Sequence, residues 1–262
     1  MPRSNLAVGA VGLAVALTLG AGAASAQDKT LSEGRPLLHL ADAFPIATGE
    51  GAALGGAGVT RQRASPNRGF LPLEIQYGVF PHTQVSLGTQ LSSHPHDADD
   101  PRAGDLHGSL RVNFGRESYF VPSFATQLTV TVPTGVDANA TNVELKGYAT
   151  KTVTHSLFGH FNASVDVTDH VARDERAARY HLAGGASYTV PEKAAVLLAA
   201  DVFTDQARRI GDPNTVGGEA GIRIRVTPAV YWDAGIGSEF AGPRDRAVLF
   251  VTTGVTVNFS LD

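Results

Sequence analysis

Glu74, His107, Arg111, Glu144, Lys146, His160, Asp166, Arg179, His181, Asp201, Arg223, Arg225, Asp233 and Glu239 share one property. Each stands on the polar side of a run whose alternate positions are apolar. Alternation with period two puts such a set on one face of β-structure. Carboxylates, guanidinium groups and imidazoles gathered on one face do one of two things. They line a passage and sort solutes by charge, or they pair across strands and hold the face together. The signs are interleaved and no ring of one sign is visible, which favours pairing. One pair can be named. An odd-numbered turn at Thr227-Pro228-Ala229 would set Arg225 opposite Asp233.

Other chemistry is poorly supplied. The chain has no cysteine, which excludes disulfides, thiolate zinc sites and a thiol nucleophile. His94-Pro95-His96-Asp97-Ala98-Asp99-Asp100 has metal-ligating types without tetrahedral spacing. It reads as a solvated loop, so neither a metal nor a cofactor is expected. A glycine-rich phosphate loop is missing. The outward positions offer no histidine to activate a serine, so no catalytic residues are assigned and the chain reads as a non-enzyme. A formal charge of −4 argues against a nucleic-acid partner.

The elements that hold the polar set are strands, and they follow an export signal. Arg3 precedes an apolar run from Leu6 to Leu19, and Ala24-Ser25-Ala26 fits a signal-peptidase site. The run is shorter than the roughly 20 residues a spanning helix needs. Residues 1–26 are read as a cleaved signal peptide, with Gln27 first in the mature chain. Residues 27–51 are read as an N-terminal periplasmic segment, and 27–262 as the barrel unit.

The alternating runs begin at Leu71, Leu73, Ile75, Tyr77 and Val79, with Pro72, Glu74, Gln76 and Gly78 between them. Similar runs recur to Val255, Val257 and Phe259. Two are irregular: Leu197 and Phe203 would point to the polar side, and a first strand near Gly55 to Arg61 is glycine-rich. The polar face is built of Gly, Ser, Thr, Asn and Gln and is not lysine-rich. That suits a wet lumen better than the outside of a soluble sandwich. The fold class is therefore all-β, a closed antiparallel transmembrane barrel of about twelve strands, because open sheet edges cannot be satisfied in lipid. Short connections alternate with long ones, as periplasmic turns alternate with external loops. The stretch from Gly115 to Pro122 is long for its side. Tyr77, Phe114, Phe124, Tyr188, Trp232 and Phe259 then fall outward near the short-turn end, where aromatic rings suit the headgroup layer. Lys151 is the one outward charge, near a strand end from which it could snorkel.

Three motifs carry a resemblance: Leu73-Glu74-Ile75-Gln76-Tyr77-Gly78, Ala103-Gly104-Asp105-Leu106, and Leu128-Thr129-Val130-Thr131-Val132-Pro133-Thr134-Gly135. With them the chain resembles the outer-membrane proteins grouped as transporters of the meta-pathway of phenol degradation. The C-terminus departs from the usual barrel pattern, since Phe259 is followed by Ser260, Leu261 and Asp262. The resemblance implies an outer-membrane channel passing small hydrophobic or aromatic compounds and brings no binding residues with it. The expected partners are outer-membrane lipid and a small-molecule solute; the oligomeric state is not legible. The alternatives are a closed barrel with a structural or surface role and, less favoured, an outer-membrane lipase.

Overall fold

A computed structural model describes residues 40–64, 67–92, 104–115, 117–135, 140–191 and 195–261. The proposed signal peptide and the loop from His94 to Asp100 lie outside the described residues.

Twelve strands run in order: β1 (Glu50–Gln62), β2 (Arg68–Phe80), β3 (Thr83–Ser92), β4 (Leu106–Gly115), β5 (Ser123–Val132), β6 (Asn142–Thr152), β7 (Leu157–Thr168), β8 (Ala178–Thr189), β9 (Val196–Asp205), β10 (Thr215–Arg225), β11 (Val230–Ala241) and β12 (Ala247–Ser260). Each pairs antiparallel with its sequence neighbours, and β1 pairs with β12 to close the barrel. The glycine-rich first strand is longer than the sequence implied. It starts at Glu50 and takes part in the closing seam along its whole length.

Alternation sets the two faces, and burial is inverted relative to a water-soluble protein. Ile75 and Leu87 on the outside are 58% and 59% exposed, while Gln76 and Gln84 on the inside are 5% and 3% exposed. An apolar outer wall on a closed sheet is a lipid-facing surface. The chain is an outer-membrane barrel. Leu197 and Phe203 point inward, and Phe203 is buried there.

The belt at the short-turn end is extended by the long connection between β4 and β5. Tyr119 and Phe120 stand out from it, edge to face at 4.7 Å. That connection is tied down by Glu117. Its Oε1 accepts from Lys151 Nζ at 2.8 Å and from the Thr152 amide at 2.7 Å, and its Oε2 accepts from the Thr152 hydroxyl. Burial opposes the charge on Glu117, but these bonds and the lysine outweigh it and hold the carboxyl below its ordinary range. Lys151 is thus paired to a turn as well as close to the interface.

At the opposite end, two of the motifs named above meet. The Gly135 amide donates to Asp105 Oδ1 at 2.8 Å, and the Thr134 hydroxyl donates to the Gly104 carbonyl at 3.0 Å. The Leu106 amide donates back to Thr134 Oγ1 at 2.9 Å. Gly104 takes φ +95, a left-handed conformation that favours glycine. The Gly-Asp-Leu and Pro-Thr-Gly runs are one clasp joining β4 to β5.

One register departs from expectation. The turn between β10 and β11 is centred on Pro228, with the Val226 amide donating to the Val230 carbonyl. This pairs Arg223 with Asp233 and sets Arg225 opposite Tyr231. The odd-numbered turn is present, but one centred on Pro228 gives Asp233 the partner Arg223, two residues further from the turn than the expected Arg225.

Of the stretch read as an N-terminal periplasmic segment, the described residues 40–48 run inside the barrel. Leu40 and Ala43 are 0% exposed, and Leu40 packs with Ala183, Ala199 and Phe203 of β8 and β9. Ala41 and Ala43 pack with Ala125 and Tyr148 of β5 and β6, and Ile46 packs with Ala52 and Leu54 of β1. The stretch has no alternation to announce a wall strand. Its small side chains fit a narrow lumen instead.

Candidate functional site

Most of the polar side chains face the lumen, whose walls differ chemically from place to place. At the short-turn end, neutral polar side chains face the entering segment. The Ala43 amide donates to Thr150 Oγ1 at 2.9 Å, and the Ile46 amide donates to Gln84 Oε1 at 3.0 Å. Asn113 Nδ2 donates to the Ala43 carbonyl at 2.7 Å and to Ser123 Oγ at 2.9 Å. Thr150 Oγ1 is 3.1 Å from His160 Nδ1, and His160 Nε2 is 2.9 Å from Ser187 Oγ. Strands β3 to β8 each contribute one group to this arc. At the foot of the segment, the Gly49 amide donates to the Gly78 carbonyl at 2.9 Å. A Cβ on Gly78 would collide with the Ala47 carbonyl, so the approach needs glycine there.

At the long-loop end, the wall is charged and interlocked. Asp166 accepts from Arg179 through Nη2 at 2.9 Å and faces His181 Nε2 through its other oxygen. His181 Nδ1 is 2.9 Å from Asp205 Oδ1. Two carboxylates, one guanidinium and one imidazole thus span β7, β8 and β9. Charges held in this way are satisfied by each other, which is how a narrow polar lumen tolerates them.

Between the ends, Arg111 Nε donates to Gln127 Oε1 at 2.9 Å, and its guanidinium carbon lies 4.5 Å from the centroid of the Tyr148 ring. The Tyr148 hydroxyl donates to the same Gln127 oxygen at 2.9 Å. Lys146 Nζ lies 5.7 Å from that ring centroid. On the far wall the short-turn end is charged, where Arg223 Nε donates to Asp233 Oδ1 at 2.7 Å beside the β10–β11 turn. His107 Nε2 is 3.9 Å from Glu74 Oε2.

The rest of the polar set is spread out. Glu144 lies opposite Thr129 and Asp166 in the ladders. Asp201 lies directly opposite Glu219. Glu239 accepts from the Ala247 amide at 2.7 Å, and Arg225 stands beside Tyr231 at the turn end. The set therefore forms several separate groups on one face and no single constellation.

Sequence reasoning singled out charges and passed over the neutral residues. Gln84, Asn113, Ser123, Thr150 and Ser187 bind the inner segment or brace what does. Their inward alternation was visible; their common occupant was not. The inward aromatics were also missed as a group. Phe70, Phe203 and Phe250 turn their rings over Gly58, Gly217 and Gly237, where any Cβ would strike the ring. Phe203 and Phe250 lie with centroids 6.5 Å apart.

No protein-family model matches the sequence, and no curated protein sequence matches it. Solved structures do. The chain is similar to the NanC porin with a TM-score of 0.58 at 9% identity, over 80% of this chain and 100% of that one. It is similar to the KdgM porin in complex with disordered oligogalacturonate with a TM-score of 0.54 at 9% identity, over 79% and 99% of the two chains. These likenesses share the fold: a closed antiparallel barrel of the outer-membrane kind.

Proposed function

We propose that this barrel is an outer-membrane channel for small hydrophobic or aromatic molecules, of the kind the phenol meta-pathway motifs imply. The observation that carries the reading is the inner aromatic group. Phe70, Phe203 and Phe250 lie flat over glycines inside an otherwise polar lumen. Glycine at three cross-strand positions is a costly way to seat three rings, because it gives up strand-forming side chains. At the long-loop end the partly exposed rings of Phe70 and Phe250 offer an aromatic solute stacking partners of its own kind, while Phe203 is covered by Leu40 of the inner segment. The interlocked charges beside them leave little unpaired charge to hold an ionic one. A barrel between the eight strands that fill with side chains and the sixteen that leave a wide aqueous channel gives a narrow bore. Outer-membrane lipid and the solute are then its partners, with no cofactor and no catalysis. The His160–Ser187 contact has the look of a base beside a nucleophile. It faces the covered inner segment, and we read it as part of the wall's bracing.

The test compares uptake of phenol-like compounds and of a polar sugar in cells with and without the protein. Faster uptake of the aromatic compounds supports the channel and its solute class. Faster sugar uptake alone would keep the channel and replace the solute. No change in either would leave a closed barrel.

A further inference from the structure

The inner segment is held in a way that neither builds nor closes the wall. Every wall strand has both neighbours in the barrel, so the twelve ladders are complete without residues 40–48. The wall groups that touch the segment keep partners of their own. Asn113 also binds Ser123, and Thr150 also meets His160, which meets Ser187. The segment itself contributes backbone groups: the amides of Ala43 and Ile46 and the carbonyl of Ala43. Leu40 and Ile46 add apolar anchors on the wall, Asp42 is buried, and its Oδ1 accepts from the Phe44 amide within the segment. Backbone recognition by side chains, at a few points along an extended stretch, is how proteins bind peptides.

We infer that the lumen holds a binding site for an extended peptide, running from the short-turn end up to Phe203 and occupied in cis by residues 40–48, and that the segment must leave it for the bore to open. The second half rests on the channel reading; the first does not. Its occupant is this chain's own segment, and the site should accept the same sequence supplied in trans. Release costs the wall little in hydrogen bonding because its own side chains re-form the network with water. The foot at Gly49 and Gly78 is the hinge.

The chain lacks cysteine, so a single introduced thiol reports on the segment alone. In the full-length refolded barrel, A43C is treated with a bulky maleimide, and folding is followed by the heat-dependent gel shift. The thiol should react slowly and completely while the barrel stays folded. Adding Thr150→Val removes one acceptor from the segment and should speed labelling about fivefold, the equivalent of one ordinary hydrogen bond. A labelled peptide of residues 40–48 should bind a refolded chain beginning at Gly49 and should not bind the full-length barrel. A thiol that stays unreacted as long as the barrel is folded would overturn the inference, as would an unchanged rate with T150V. Labelling as described without any conductance would instead keep the peptide site and reject the channel.

Discussion

Two histidines on neighbouring strands show how one barrel builds two environments. His160 of β7 sits between the hydroxyls of Thr150 and Ser187, near the short turns. His181 of β8 sits between the carboxylates of Asp166 and Asp205, near the long loops. The strands are alike in length and inward alternation, although His160 is buried and His181 half-buried. What differs is the neighbour supplied by the ladder. Around His160 the hydroxyls of Thr150 and Ser187 close the ring, and Thr150 also takes a backbone amide of the inner segment. Around His181 the neighbours are charged and satisfy each other. The difference is set by register, since a slip of one residue would turn either histidine toward lipid.

The largest effect should come from Asp166→Ala. It removes the carboxylate shared by Arg179 and His181, takes the guanidinium's carboxylate partner away and leaves His181 with Asp205 alone, at about 1–3 kcal/mol. The temperature at which the unboiled gel band disappears should fall. An unchanged temperature would mean that the long-loop end is not interlocked as described. His160→Ala should cost less, about 1 kcal/mol, because the hydroxyls of Thr150 and Ser187 each lose one neutral bond. If it costs more than Asp166→Ala, the contrast between the two histidine sites is wrong. Tyr148→Phe lies between the regions and removes the hydroxyl that bridges Arg111 and Gln127. Its cost should be at most about 1 kcal/mol, with the ring contact to Arg111 retained.

Glu117 provides a comparison outside the lumen. Its carboxyl is held below the ordinary range, so its pairing stabilises the turn above that range and is lost as the pH falls through the lowered value. Limited proteolysis between residues 117 and 122 should therefore be slow near neutrality and accelerate in acid. The effect on whole-barrel stability should stay within about 1 kcal/mol, as for exposed ion pairs. Equal proteolysis across the acid range would remove Glu117 from the account of that turn.

Much of the wall could be read in the sequence because lipid imposes a simple rule. Leu71, Leu73 and Ile75 must face out if Glu74 and Gln76 face in, and that rule recurs strand by strand. Phe203 broke the pattern and was still assignable as inward, although its reason, Gly217 across the ladder, needed the register. Arg225 and Asp233 show the limit. The place of the turn was legible, but the pairing depends on which residue sits at its centre, and Pro228 there gives Asp233 to Arg223. The inner segment was illegible for a different reason. Leu40 to Thr48 has no period, and nothing local distinguishes a stretch lying in a lumen from one lying outside. The Gly104-Asp105-Leu106 and Pro133-Thr134-Gly135 runs were recognisable as motifs, whereas their meeting in one clasp appears only in three dimensions.

Single-channel recording in planar bilayers tests the central claim most directly: a narrow pore whose lumen is occupied by its own N-terminal segment. The full-length refolded barrel should be closed for most of the record, with brief small openings. The chain beginning at Gly49 should show steady small steps that the peptide of residues 40–48 suppresses. Two equally silent barrels would contradict the account and leave a sealed cylinder; two equally and steadily open ones would remove the segment from it.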